Sequence, residues 1–155
     1  WDPILLICAL GREANLQIMG KNQLFKIPIL RTFLRKMGVF PVDRGHSDIG
    51  AVKRSIQALK DGFMLMVFPE GTRVRKKNRG ARPKGGVAMM AIRAGAKLMP
   101  IYIGTKKRLF AKVPIIFGKP FIPEYTGRKG TVEEYQANAD EVIRRAYELG
   151  GETWT

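Results

Sequence analysis

Two arginines stand a few residues beyond predicted strands, in positions suited to binding a phosphate group. Arg44 follows the apolar stretch 39–42, and Arg73 follows the apolar run 63–68. In open α/β sheets ligands bind where strands end and helices begin, so both arginines are expected at the rim of the sheet. Arginine presents a planar fork of N–H donors that matches the oxygens of a phosphate. A rim arginine can also simply pair with a carboxylate, so neither position predicts a site by itself.

Lys84 adds a third feature of the same kind. It precedes Gly85 and Gly86 at the start of a predicted helix. Free backbone N–H groups and the helix dipole favour an anion at such a start. The alternative for Lys84 is a solvated side chain ahead of a helix. Because the topology directs all three positions to one edge of the sheet, together they predict a phosphate site there.

Three sequence blocks connect these positions with a known family. They are Gly-Val-Phe-Pro-Val-Asp-Arg at 38–44, Phe-Pro-Glu-Gly-Thr-Arg at 68–73 and Leu-Met-Pro-Ile at 98–101. In order and spacing they resemble the second, third and fourth signature blocks of the 1-acylglycerol-3-phosphate acyltransferases, a family of glycerolipid acyltransferases. The resemblance extends over nearly the whole chain. It implies transfer of a fatty acyl group from acyl-CoA or acyl carrier protein to 1-acylglycerol 3-phosphate (lysophosphatidic acid), giving phosphatidic acid in phospholipid biosynthesis.

The resemblance also implies which residues form the site. The glycerol hydroxyl would attack the acyl thioester directly, with a histidine as general base and an aspartate orienting it. No cofactor is implied, and the single histidine and single cysteine predict no zinc site. Lys84 is assigned to the acceptor site only because it stands at a predicted helix start. The implied substrate-binding residues, with the two arginines on the phosphate, are Arg44, Glu70, Gly71, Thr72 and Arg73.

Only the end of the family's first block, His-x-x-x-x-Asp, is present in this sequence. Asp2 followed by Pro3 fits that end, so Asp2 is the predicted catalytic aspartate, and it can also cap a helix. The histidine would stand five residues before Asp2, ahead of Trp1. We therefore expect that residues 1–155 lack an N-terminal segment of the domain and are inactive by themselves. His46 does not have the block's spacing and is interpreted as a loop residue.

The net charge of +15 favours a polyanionic partner, either nucleic acid or an anionic bilayer. Basic residues concentrate at 73–84 and again at 106–108. They are interpreted either as a solvated loop or as a surface that adheres to anionic lipid headgroups, at about 1 kcal/mol per residue. The same loop could recruit an acidic donor such as acyl carrier protein. We expect the protein to associate with a membrane at its cytoplasmic face. The single cysteine is consistent with the reducing conditions of that compartment.

Two further functions are open alternatives at this point. A catalytically inactive lipid-binding homologue would keep the same blocks. A basic nucleic-acid-binding module would use the charge, but the basic loop lacks interleaved aromatic residues, and no recognition motif occurs in the sequence. A nucleic-acid partner is therefore not expected.

The elements that must position these residues alternate between strand-like and helix-like patterns. This alternation predicts an α/β fold, a single acyltransferase domain over residues 1–155 with a largely parallel mixed sheet flanked by helices. Helices are predicted from Asp2 to Gly11, from Lys21 to Met37 in two pieces interrupted at Pro28, from Ser47 or Asp48 to Gly62, from about Gly85 to Gly95, and from a capping box at Thr131 to Gly150. The predicted strands are 16–19, 39–42, 63–68, 98–103 and 113–117, of which 63–68 is predicted to be buried on both faces. The apolar face of the helix after Asp48 is predicted to carry Ile49, Val52, Ile56 and Leu59, and the last helix is predicted to bury Val132.

Overall fold

A computed structural model describes residues 15–42, 48–69, 82–104 and 113–154 of the chain. The chain divides into two compact units, residues 1–68 and residues 69–155, and each is described by itself. The helix predicted from Asp2 to Gly11 lies outside the described residues.

The first unit is built on a parallel three-stranded sheet. The strands are β1, Leu16–Lys21, β2, Val39–Val42, and β3, Met64–Met66. Their order is β2-β1-β3, and β1 pairs in parallel with both neighbours. The predicted α/β class with a parallel sheet flanked by helices is confirmed. β2 has the predicted bounds, and β1 runs two residues further than predicted.

The connection from β1 to β2 contains two helical pieces, as predicted. A 3-10 helix, Asn22–Lys26, is followed by α1, Pro28–Lys36. Pro28 begins α1, a position where its missing N–H costs no hydrogen bond. Gly38 then turns the chain into β2 with a φ of 73°, in the left-handed region. A Cβ on Gly38 would lie 2.3 Å from the carbonyl oxygen of Leu16, so only glycine fits this turn without displacement.

The second connection carries α2, Ile49–Lys60, which begins at the predicted Asp48. The Asp48 carboxylate accepts a hydrogen bond from the backbone N–H of Ala51 at 2.8 Å, which caps the helix. The buried side of α2 is formed by Ala51 and Ser55. Ile49, predicted on the apolar face, is 66% exposed, so that prediction was wrong at the first turn. The other predicted positions, Val52, Ile56 and Leu59, are half-buried.

The apolar run 63–68 forms a shorter and less buried strand than predicted. Only β3 is extended, and of its residues only Met66 is buried. Phe63 and Phe68 are 37% and 38% exposed, so the prediction of burial on both faces was wrong. The physical reason is that, within the described residues, β3 pairs with β1 alone and so lies at an edge of the three-stranded sheet.

The second unit packs two helices and two short strands. α3, Gly86–Ala94, ends as predicted at Gly95, which has a φ of 68°. β4, Ile101–Ile103, pairs antiparallel with β5, Ile115–Phe117. The predicted strand 98–103 is therefore shorter, and Leu98 forms only an isolated bridge with Phe121. The buried core consists of Ala88, Ala91, Leu98, Val142 and Ile143.

The last helix, α4, Val132–Leu149, has the predicted capping box and ends at Gly150. The Thr131 N–H donates to Glu134 Oε2 at 2.7 Å, and the Glu134 N–H donates to Thr131 Oγ1 at 3.2 Å. Val132, predicted to be buried, is 74% exposed, because the buried side of the helix is formed by residues 138, 139, 142 and 143.

Candidate active site

The parallel pairing fixes where the chain leaves the sheet toward the predicted site. Lys21, the last residue of β1, lies in register with Val42, and Met66, the last residue of β3, lies in register with Ile18. The carboxyl ends of the three strands therefore share one edge. β2 ends at this edge with Val42, the last described residue before the segment that contains Arg44.

Most of the predicted site residues fall on segments that the structure does not describe. Only Lys84 is described. Those outside the described residues are Asp2, Arg44, Glu70, Gly71, Thr72 and Arg73, together with His46. Their contribution to the site therefore stays a prediction.

The described residues on either side of 70–81 meet each other. The backbone N–H of Lys84 donates a hydrogen bond to the carbonyl oxygen of Pro69 at 2.9 Å. The stretch that carries Glu-Gly-Thr-Arg thus leaves and returns at nearly the same point, three residues after the end of β3. Lys84, chosen from its helix start alone, stands at the base of this stretch with its side chain exposed.

The returning chain is held against α4 by side chains of that helix. Gln136 Nε2 donates to the carbonyl oxygen of Pro83 at 2.8 Å and to Asp140 Oδ1 at 2.8 Å. Asp140 Oδ2 in turn lies 3.1 Å from Arg82 Nη2. The exposed ion pair contributes little stability by itself, but the three contacts together orient residues 82–84.

The start of α3 has the features of an anion-binding helix end. Within these described residues, no side chain caps α3 and no acidic residue stands in its first turn. Gly85, at the cap position, lies so close to α4 that an added Cβ would be 3.3 Å from both the Gln136 nitrogen and Tyr135 Cβ. One N–H of this start, that of Val87, donates to the carbonyl oxygen of Lys84 at 3.4 Å. With no acidic or capping side chain there, the helix dipole still favours an anion at this end.

Two carboxylates of α4 have depressed pKa values. The pKa of Glu134 is lowered, mainly because the Thr126 hydroxyl donates to it at 2.7 Å, with the backbone N–H of Thr131 next. The pKa of Glu141 is lowered to about 2, chiefly by hydrogen bonds from Arg144, whose Nε and Nη2 both lie 2.8 Å from its oxygens. Both groups are therefore charged at neutral pH.

Gln136 and Asp140 were not predicted as site residues. They stand four apart on a helix, a common surface pattern, and their partners Pro83 and Arg82 lie more than 50 residues away in sequence. Only the adjacency of α3 and α4 connects them to the predicted site, and no local pattern shows that adjacency.

Comparison with known proteins shows the family. The family model described as Acyltransferase matches residues 1–104, two thirds of the chain. This chain belongs to the acyltransferase family. The match includes all three sequence blocks and Asp2, and it ends before α4.

Among curated relatives of this acyltransferase are two bacterial proteins named 1-acyl-sn-glycerol-3-phosphate acyltransferase. The one from Streptococcus pneumoniae is 33% identical over 77% of the chain and 46% of its own length. The one from Bacillus subtilis is 30% identical over 87% of the chain and 69% of its own length. The chain thus spans between about half and two thirds of these relatives.

A solved structure shares the fold. The crystal structure of the 1-acyl-sn-glycerophosphate acyltransferase PlsC from Thermotoga maritima aligns with a TM-score of 0.69 and 25% identity. The alignment covers 98% of the acyltransferase chain and 63% of the PlsC chain. Among the described residues of our chain, none of the helices has the length and apolar character needed to cross a bilayer.

Proposed function

We propose that this acyltransferase transfers a fatty acyl group to 1-acylglycerol 3-phosphate and so forms phosphatidic acid. The observation that supports this most is the match to the Bacillus subtilis 1-acyl-sn-glycerol-3-phosphate acyltransferase, which is 30% identical over 87% of the chain. The proposed donor is acyl-CoA or acyl carrier protein, and residues 1–155 are proposed to act as one acyltransferase domain.

The proposed chemistry uses the acceptor's own hydroxyl as the nucleophile. The hydroxyl oxygen bonds to the thioester carbonyl carbon while its proton passes to an imidazole. The carbon–sulfur bond then breaks, and the imidazolium returns the proton to the leaving sulfur, which departs as the thiol. Asp2 would hold the tautomer of that imidazole and stabilise its positive charge. The imidazole is proposed to belong to a histidine five positions before Asp2, as in the family's first block.

The acceptor phosphate is proposed to bind Arg44 and Arg73, with Glu70, Gly71 and Thr72 completing the site. Lys84 supports this arrangement, because its hydrogen bond to Pro69 places it at the base of the segment that holds Arg73. A lysine beside an uncapped helix start provides charge and N–H donors for the same anion. The basic residues at 73–84 are further proposed to hold the enzyme on an anionic membrane surface at the cytoplasmic face.

The test uses the chain extended upstream so that a histidine stands five positions before Asp2. Incubated with labelled acyl-CoA and lysophosphatidic acid, this extended form should produce labelled phosphatidic acid. Replacing the added histidine by alanine should lower the rate by at least about 10²–10⁴-fold. Asp2→Asn should also lower it while still capping a helix, since asparagine caps as well as aspartate.

Two outcomes would contradict the proposal. Binding of lysophosphatidic acid without any product from the extended form would instead support an inactive lipid-binding homologue. Full turnover by the 155-residue chain without an added histidine would rule out the proposed base.

A further inference from the structure

An apolar surface is left open around α1 of the first unit. In the described structure no side chain of α1 is buried, although the helix is strongly amphipathic. Ile29 is 87% exposed and Phe33 is 50% exposed. They stand four residues apart and so share one face of the helix. Just before α1, Leu24 and Ile27 are 42% and 54% exposed. We call Ile29 and Phe33 the α1 stripe; with Leu24 and Ile27, four apolar side chains are exposed on this part of the chain.

The α1 stripe borders the side of the helix that packs. Leu30, Leu34 and Met37 are half-buried, and α1 contacts β2 and the 3-10 helix. The 3-10 helix is anchored by its own buried residue, Phe25. Packing of the first unit therefore uses a different set of apolar residues, and the stripe is not needed for it.

The charge around the stripe has a single sign. Over residues 15–42 the sequence contains no aspartate or glutamate. Near the stripe, Lys36 lies one helical turn beyond Phe33 on the same face, and Arg31 and Arg35 extend along the polar side. The basic residues of the stretch are Lys21, Lys26, Arg31, Arg35 and Lys36.

We propose that the α1 stripe docks this protein on an anionic bilayer. The apolar side chains would enter the boundary between headgroups and acyl chains, and the flanking lysines and arginines would contact lipid phosphates. This is the arrangement of an interfacial amphipathic helix lying in the membrane plane. The proposed function assigns membrane attraction to the basic residues at 73–84; the inference goes beyond it by assigning apolar insertion to a different surface, and it holds whether or not the chain transfers acyl groups.

A bilayer fits the stripe better than a protein partner does. Ile29 projects from a convex helix with most of its surface in solvent, whereas a protein partner needs a complementary cleft or a broad face. A stable protein interface buries about 800 Å² on each side, from 20–30 residues, which four side chains do not provide. A second copy of this chain would also bring like charges together, since the stripe has no acidic neighbours on residues 15–42.

The first test places a reporter in the stripe. Ile29→Trp should show a blue-shifted emission, after subtraction of the wild-type signal, when vesicles containing phosphatidylglycerol are added. Ile122→Trp is the matched control, because Ile122 is an isoleucine of the second unit that is 69% exposed. A shift in both variants, or in neither, would overturn the proposal.

The second test removes the apolar contacts while the charges stay. Ile29→Gln combined with Phe33→Gln should weaken sedimentation with phosphatidylglycerol vesicles by at least about tenfold, because each inserted side chain loses its burial. Ile122→Gln combined with Val132→Gln should bind like the wild type. Circular dichroism should be the same for all forms, and the tryptophan reporter decides the matter if the glutamine variant does not fold.

The remaining outcomes are also decisive. Equal binding to vesicles of phosphatidylcholine alone would overturn the part assigned to the basic residues. If Ile29→Gln with Phe33→Gln changed the oligomeric state in gel filtration and left vesicle binding unchanged, the stripe would be an interface between copies and the proposal would be wrong.

Discussion

The backbone N–H of Lys84 and the carbonyl oxygen of Pro69 are joined by a hydrogen bond of 2.9 Å. This single contact closes the stretch that holds Glu-Gly-Thr-Arg at 70–73, and it does so beside the start of α3. The geometry of the proposed acceptor site therefore depends on how firmly residues 82–84 are held.

Gln136 is predicted to be a positioning residue for this return. Gln136→Ala removes the donor to the Pro83 carbonyl, and the loss of such a bond costs about 1 kcal/mol. We expect a several-fold rise in KM for lysophosphatidic acid in the extended form, with kcat for bound substrate and KM for acyl-CoA nearly unchanged. Steady-state kinetics with each substrate varied in turn provides the measurement.

The matched control for Gln136 is Gln57→Ala. The Gln57 side chain donates to the Asp61 carboxylate, four residues later, at 2.8 Å, just as Gln136 donates to Asp140. Gln57 lies on α2, and within the described residues it makes no hydrogen bond to a loop carbonyl like the one from Gln136 to Pro83. It should change neither KM. Equal effects of the two variants would show that Gln136 acts only on helix stability.

The two arginines of the sequence blocks are predicted to bind phosphate. Arg44→Ala and Arg73→Ala should each raise KM for lysophosphatidic acid by about 10- to 150-fold, since a lost charge-assisted contact costs about 1.5–3 kcal/mol. KM for the acyl donor should change less, and melting temperatures should stay within a few degrees. Arg93→Ala, at an exposed position of α3, serves as the control. Unfolding of both arginine variants would indicate buried ion pairs instead of a binding site.

Gly38 is predicted to be irreplaceable for two separable reasons. Its φ of 73° strains any other residue by about 1–2 kcal/mol. In addition, its Cβ would lie 2.3 Å from Leu16 O. Gly62 has a φ of 86° but nothing within 4 Å of its Cβ position, so Gly62→Ala isolates the first effect. In urea denaturation Gly38→Ala should lose more free energy of unfolding than Gly62→Ala. Equal losses would refute the clash with Leu16.

The pKa of Glu141 predicts a small stability loss in acid. Because its folded pKa of about 2 lies below the ordinary value of 4.5, its contribution is fully present above about pH 4.5 and is lost as the pH falls toward 2. The Glu141 side chain is 31% exposed and its partners Arg144 and Arg145 are 47% and 40% exposed, so solvent screening should keep the contribution below about 1 kcal/mol. Between pH 6 and pH 3, the free energy of unfolding measured by urea denaturation should fall less for Glu141→Gln than for wild type. Glu133→Gln, an exposed carboxylate of the same helix, should behave like wild type.

Local patterns predicted most elements because local chemistry decides them. β2 was predicted at its observed bounds, and Pro28, Asp48 and the Thr131 capping box each mark a helix start through their own backbone or side-chain chemistry. The apolar run 63–68 was misjudged because hydrophobicity does not tell an edge strand from a central one.

The candidate site was less accessible to sequence reasoning than the fold. Lys84 could be predicted because a helix start has a local signature. The support from Gln136 could not, because it depends on α3 and α4 packing together across more than 50 residues of sequence. The α1 stripe was missed because Ile29 and Phe33 have the spacing of core-facing residues, and only the packed structure shows that they remain exposed.

The position of β1 between β2 and β3 has a consequence for biosynthesis. β1 is the first of the three strands to be synthesised, and its parallel partners follow about 20 and about 50 residues later, so its pairings form slowly compared with local contacts. Until β3 has left the ribosome, one edge of β1 stays open to strands of other nascent chains. Slower translation or added chaperones should therefore raise the soluble yield of this protein more than a stabilising change in α4 would.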